Sequence, residues 1–165
     1  MPATYEPIAT TTLGSAASSI TFSSISAAYT DLRLVLVSTS NSGNLNTRAR
    51  FNSDTGTNYS YTQLYADGTG AYSGRSSNVA YAPLDEDATS TTPPVMLTVD
   101  FFNYAGSTNK TYLQTMQMDK NGSGSVVRQV GLWRNTAAIN TILIYTSTSN
   151  FAVGTTATLY GILRA

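Results

Sequence analysis

Apolar residues in this chain come in short runs that recur at every second position, which is the period of a strand and not of a helix. Asp31–Ser38 is the clearest case, with Leu32, Leu34 and Leu36 on one face and Arg33, Val35 and Val37 on the other. Both faces are largely apolar, so this strand is expected to be covered on both sides for most of its length. A helix through the same residues would have no polar side, and their β-branched content favours extended backbone. Val95–Phe102 follows the same rule, with Val95, Leu97, Val99 and Phe101 predicted to face inward. Residues 110–118 set Tyr112, Gln114, Met116 and Met118 against Leu113, Thr115 and Gln117. In residues 125–134, Val126, Val130 and Leu132 share a face with Arg128.

Shorter strands are predicted at residues 19–22, 47–52, 139–146 and 155–163. Residues 59–65 form an aromatic strand with Tyr59, Tyr61, Gln63 and Tyr65 on one side. Asn121-Gly122 is a strong hairpin signal, because both residues accept the positive φ angles of a primed turn. Residues 1–13 read as an extended N-terminal arm in which Pro7 is tolerated only at a sheet edge. Between residues 67 and 94 the pattern dissolves into Gly, Ser, Thr and Pro, with one short strand at 77–81. That irregular excursion is expected at the periphery, as a contact surface.

The sum is eight or more strands with no convincing helix, which makes the chain all-β. The predicted architecture is a single-domain antiparallel β-sandwich over residues 14–165, jelly-roll-like because that topology manages sheet edges at this strand count. Fibronectin-like and lectin-like connectivities fit the same strands.

Composition narrows the function more than the fold. The 165 residues suffice to bury roughly 70% of the unfolded chain's surface, so a core needs no staples. With 0 Cys there are no disulfides or thiolate metal sites, and with 0 His the usual general base and metal ligand are gone. Charged residues are only 11% and balanced at 9 of each sign, so no field exists to draw in nucleic acid. No apolar run approaches the length of a bilayer span, which argues against membrane insertion. The 11 Tyr, 5 Phe and 1 Trp give ample surface to bury, against disorder. A surface of hydroxyls and amides with little charge is poorly protected against association, which suits a protein whose normal state is assembled. It also suits an extracellular β domain. The N-terminus has no signal-peptide pattern, so synthesis in a cytoplasm is expected.

Candidate chemistry is sparse. Asp85, Glu86 and Asp87 offer hard oxygen ligands for a cation but lack the spacing and glycine of an EF-hand loop, and a solvated acid run is the plainer account. Asp54-Thr-Gly-Thr-Asn58 reads as an Asx turn with a faint calcium-loop look. A serine nucleophile would need a Lys base, and Lys110 and Lys120 both lie beside predicted turns. Asp31, Asp100 and Asp119 could supply paired carboxylates, but nothing in their spacing selects a pair. No catalytic residue, cofactor or metal site is assigned, and the chain is read as non-enzymatic. Arg33, Arg128 and Arg134, beside apolar strands, either pair with acids across a subunit interface or lie on a solvent face. Tyr5 and Ile8 would anchor the arm on a neighbour by strand addition. Tyr61, Tyr65, Tyr72 and Tyr81 either stack on a host glycan or partner, or line a sheet.

Five phrases carry a resemblance: Ala3-Thr-Tyr-Glu-Pro-Ile-Ala9, Tyr29-Thr-Asp-Leu32, Arg50-Phe-Asn-Ser-Asp-Thr-Gly-Thr-Asn-Tyr-Ser60, Gly131-Leu-Trp-Arg134 and Thr156-Ala-Thr-Leu-Tyr-Gly-Ile162. Together they resemble small tailed-phage virion structural proteins, especially those of marine and cyanobacterial phages. The phrases are structural and bring no functional residue with them. The resemblance implies a capsid decoration (cement) protein on the virion, or else a tail-fibre-like, receptor-binding module. The implied partners are the major capsid protein or neighbouring virion proteins. A homo-oligomer, with a trimer favoured, goes with the same expectation.

Overall fold

A computed structural model describes residues 4–85 and 91–163. The predicted alternation gives strands throughout, and Asp31–Ser38, Val95–Phe102 and Ser19–Phe22 fall where the pattern places them. In chain order the strands are β1 (Tyr5–Thr12), β2 (Ser19–Phe22), β3 (Asp31–Ser38), β4 (Thr47–Phe51), β5 (Tyr59–Ala66) and β6 (Ala71–Val79). β7 (Ala82–Asp85), β8 (Val95–Phe102), β9 (Lys110–Asp119), β10 (Gly124–Trp133), β11 (Ile142–Thr146) and β12 (Thr156–Ile162) follow. They form an eight-stranded sheet in the order β1-β12-β3-β8-β9-β10-β5-β6 and a four-stranded sheet in the order β2-β11-β4-β7.

The connectivity is that of a jelly roll. Antiparallel pairs nest inside one another along the chain: β1 with β12, β2 with β11, β3 with β8, β4 with β7. Successive pairs fall alternately in the large and the small sheet, as they do when one long hairpin wraps around a core. The remaining strands are two inserted hairpins. β5–β6 lies between β4 and β7, β9–β10 lies between β8 and β11, and the two join through the β10·β5 ladder to widen the large sheet. The β9–β10 hairpin turns at Asn121 and Gly122, whose φ angles of 61° and 85° make the predicted primed turn.

The inner faces of the sheets meet over Leu32, Leu34 and Leu36 of β3 and an aromatic cluster around Phe51. The rings of Phe101, Tyr112, Trp133 and Tyr59 lie 5.4–5.7 Å from that of Phe51, edge-on or tilted, the arrangement aromatic quadrupoles favour.

Three expectations need correcting. Residues 5–12 are not an arm reaching a neighbour. They form the edge strand β1, whose main-chain groups pair with β12 and whose Thr10 side chain bonds that of Thr158 at 3.0 Å. The ladder shifts register between Pro7 and Ala9, where proline cannot donate. The excursion at 67–94 is not irregular throughout, since it contains β6 and β7. The Ser- and Gly-rich β6 has little to bury and is held by main-chain pairing to β5 along one side. Finally, β3 is covered on one face only: Val35 is half-buried and Val37 exposed.

Candidate functional site

The uncovered side of β3 belongs to a larger surface. Register carries it across the sheet: Val37, Met96, Gln117, Val126 and Ala66 stand in one row over β3, β8, β9, β10 and β5. The next row is Val35, Thr98, Thr115, Arg128 and Leu64, and the one after it runs through Arg33, Asp100, Leu113, Val130 and Thr62. All of these point away from the small sheet. Met96, Val126 and Leu64 leave 47%, 57% and 64% of their surface open, and Phe102 and Val130 are exposed beside them. Single exposed apolar residues mean little, but a contiguous set on one face marks a site of contact. A groove of ≈ 520 Å³ runs along its far end between Leu64, Ala66, Ala71, Thr115, Val126 and Arg128.

Of the charges on this face, Arg75 on β6 is exposed, and Arg33, Asp100 and Arg128 are tied down. Arg33 and Asp100, cross-strand neighbours, form a bidentate ion pair with Nε–Oδ1 at 2.6 Å and Nη2–Oδ2 at 2.9 Å. The Asp100 hydrogen bond holds the Arg33 pKa above its ordinary value against the opposing effect of burial. The Arg33 guanidinium also lies 5.7 Å from the ring of Tyr5, which is exposed on the edge strand. Arg128 donates to Thr115 Oγ1 at 2.9 Å in the middle of the face. What the face offers is a broad surface of Val, Met, Leu and Thr with two exposed arginines, Arg75 and Arg128.

No family model matches the chain, and no curated protein matches it. Among solved structures, a protein of unknown function from Shewanella oneidensis MR-1 aligns at 12% identity and a TM-score of 0.30, over 98% of this chain and 77% of that one. A likeness of that size carries no argument. The site is read on its own geometry.

The residues singled out from sequence are dispersed. Arg33 and Arg128 lie on the open face. Arg134 does not: its Nη2 donates to Thr57 O at 2.6 Å and Asn78 Oδ1 at 2.8 Å, tying the turn before β5 to β6. Ile8 packs against the core and is not free to anchor on a neighbour. The four tyrosines do not share one platform. Tyr65 and Tyr72 stack with centroids 5.0 Å apart, Tyr61 is two rows further along the same inner face, beyond Gln63, and Tyr81 lies under the Arg48 guanidinium at 3.9 Å. Asp54 is an Asx turn, as its sequence suggests, with both carboxylate oxygens receiving N–H donors. Asp31 accepts from the Asn103 N–H, holding the turn after β8 from the neighbouring β3, and Asp119 accepts from that of Gly122 in its own turn. Glu86 and Asp87 lie outside the described residues, and among the described residues no acidic cluster could hold a metal ion.

Sequence reading missed the open face. Its signal was present in Val126, Val130 and Leu132 beside Arg128, but a period of two does not say which face a second layer covers.

Proposed function

We propose that the protein is a non-enzymatic structural protein of a tailed-phage virion, a decoration (cement) protein that docks on the capsid shell through the open face of its large sheet. One observation carries the reading: β3 is apolar on both faces, yet the fold covers only the Leu32, Leu34 and Leu36 side. The uncovered side joins Met96, Val126 and Leu64 in a surface suited to an apolar patch of shell protein. Eight strands about 4.8 Å apart and roughly 27 Å long span on the order of 900 Å², against the roughly 800 Å² per partner of a standard stable interface. The resemblance of the five sequence phrases points the same way, and jelly rolls occur among viral capsid proteins, which is an analogy of fold. A trimer on the particle belongs to this reading.

Labelled protein is offered to shells lacking it and to intact host cells. Saturable binding to shells is expected, with Met96→Glu and Val126→Glu each weakening it at least about tenfold by burying an unpaired charge. Binding to cells alone overturns the decoration reading in favour of a tail-associated receptor-binding module. Unchanged binding by both variants moves the contact off this face.

A further inference from the structure

The inner face of the large sheet extends further than the small sheet covers. β7, the last strand of the small sheet, is held over β9 and β10 by two glutamines: Gln129 Nε2 donates to Pro83 O at 2.8 Å, and Gln114 Nε2 donates to Leu84 O. Between β7 and the inner faces of β5, β9 and β10 lies a cleft of ≈ 330 Å³, within the range of small-molecule sites.

Register builds its floor. Gln114, Gln129 and Gln63 form one row across β9, β10 and β5, and Met116, Val127 and Tyr65 form the next. Gln114 and Gln129 are buried and committed to β7, but among the described residues the third glutamine, Gln63, makes no hydrogen bond to it. Gln63 is half-buried with its amide unpartnered among the described residues, and Oε1 of Gln114 is buried without a partner. Tyr65 lines the cleft with its ring fixed by the stacked Tyr72. Ser123 and Ser125 add hydroxyls, and Asp67 and Lys120 bring opposite charges to the lining.

We propose that this cleft binds a neutral saccharide. A carboxamide presents a donor and an acceptor side by side, which matches two neighbouring hydroxyls of a sugar ring, and Gln63 is free to do so. The C–H face of the ring would lie on Tyr65 and the Met116–Val127 row, as apolar surface requires. A wholly apolar ligand would leave the Gln63 amide and Gln114 Oε1 unpaired, and a charged one would find no net countercharge. The site stands apart from the shell-docking face, on the opposite side of the sheet, and does not depend on that reading.

The test is an NMR titration of the ¹⁵N-labelled full chain with glucose, galactose, mannose and N-acetylglucosamine, each to roughly 50 mM, since single sugars bind with constants on the order of 1 mM or weaker. At least one sugar is expected to give saturable shifts at the Gln63 side-chain amide and at Tyr65, Met116 and Val127. Gln63→Ala and Tyr65→Ala should each weaken binding about fivefold or more, and Tyr65→Phe, which keeps the ring, should not. If Tyr65→Ala unfolds, Gln63→Ala, at a half-exposed position, decides. No saturable shift with any of the four sugars, shifts confined to other surfaces, or affinity unchanged in Gln63→Ala overturns the proposal. Shell binding by these variants stays intact in either case.

Discussion

Asp54 receives N–H donors from Gly56 at 2.8 Å, Asn58 Nδ2 at 2.9 Å and the buried indole of Trp133 at 2.7 Å. Burial works to raise its pKa, and the hydrogen bonds from Trp133, Asn58 and Gly56 outweigh it and hold the carboxyl below its ordinary value. A carboxylate held low in the folded chain adds stability that is present above its unfolded value of about 3.9 and is lost as pH falls through the folded one. Urea midpoints are therefore expected to drop below about pH 4. Asp54→Asn should unfold about 1–3 kcal/mol more easily at pH 7, because the Trp133 N–H loses a charged acceptor. Its loss of stability towards pH 3 should also be shallower than that of the unaltered chain. Parallel pH profiles would contradict this role. The Asx turn was legible in Asp54-Thr-Gly-Thr-Asn58, but Trp133 is 79 residues away and nothing in the spacing joins them. Gly131 is a similar case. A Cβ there would lie 1.9 Å from the ring of Tyr112, its cross-strand partner, and only register reveals that closeness.

Elements were readable where side chains alternate and opaque where the main chain alone holds them. β3, β8 and β9 announce themselves by their inward rows, whereas β6, rich in Ser and without alternating apolar positions, is held by main-chain pairing along β5. β7 is the more instructive strand. Pro83 fits an edge, and the carbonyls of Pro83 and Leu84 accept from Gln129 and Gln114. The glutamines thus do for this edge what a further strand would do, and leave it less open to foreign pairing. Gln129→Leu should remove one such bond at a cost of about 1 kcal/mol. Amide exchange at Leu84 should then quicken about fivefold while β3 and β8 stay protected. Uniform acceleration across both sheets would instead mean that β7 opens only with the whole fold.

For the whole molecule, the all-β class followed from periodicity, which called for eight or more strands where the described residues form twelve, and the jelly roll followed from the need to manage edges. What the pattern could not convey is that two insertions, separated by β7 and β8, pair with each other through β10·β5 and make the sheets unequal. That inequality produces both candidate sites, since it leaves an apolar face uncovered on the outside and a cleft beyond β7 on the inside. The nesting has another consequence. β1 and β12 close the wrap from opposite ends of the chain, and the Leu163 N–H donates to Thr4 O at 3.0 Å. The chain order is then one of several compatible with the same contacts. Joining residue 165 to residue 1 through a short Gly-Ser linker and opening the chain between Asn121 and Gly122 should give a circular permutant with the same far-UV spectrum. It should fold more slowly, because β12 and β1 become a local hairpin while the longer β9·β10 ladder, local in the original order, must now close between the two ends of the chain. A stopped-flow comparison checks this, and a faster permutant would place the rate-limiting contacts in the closure of β12 on β1.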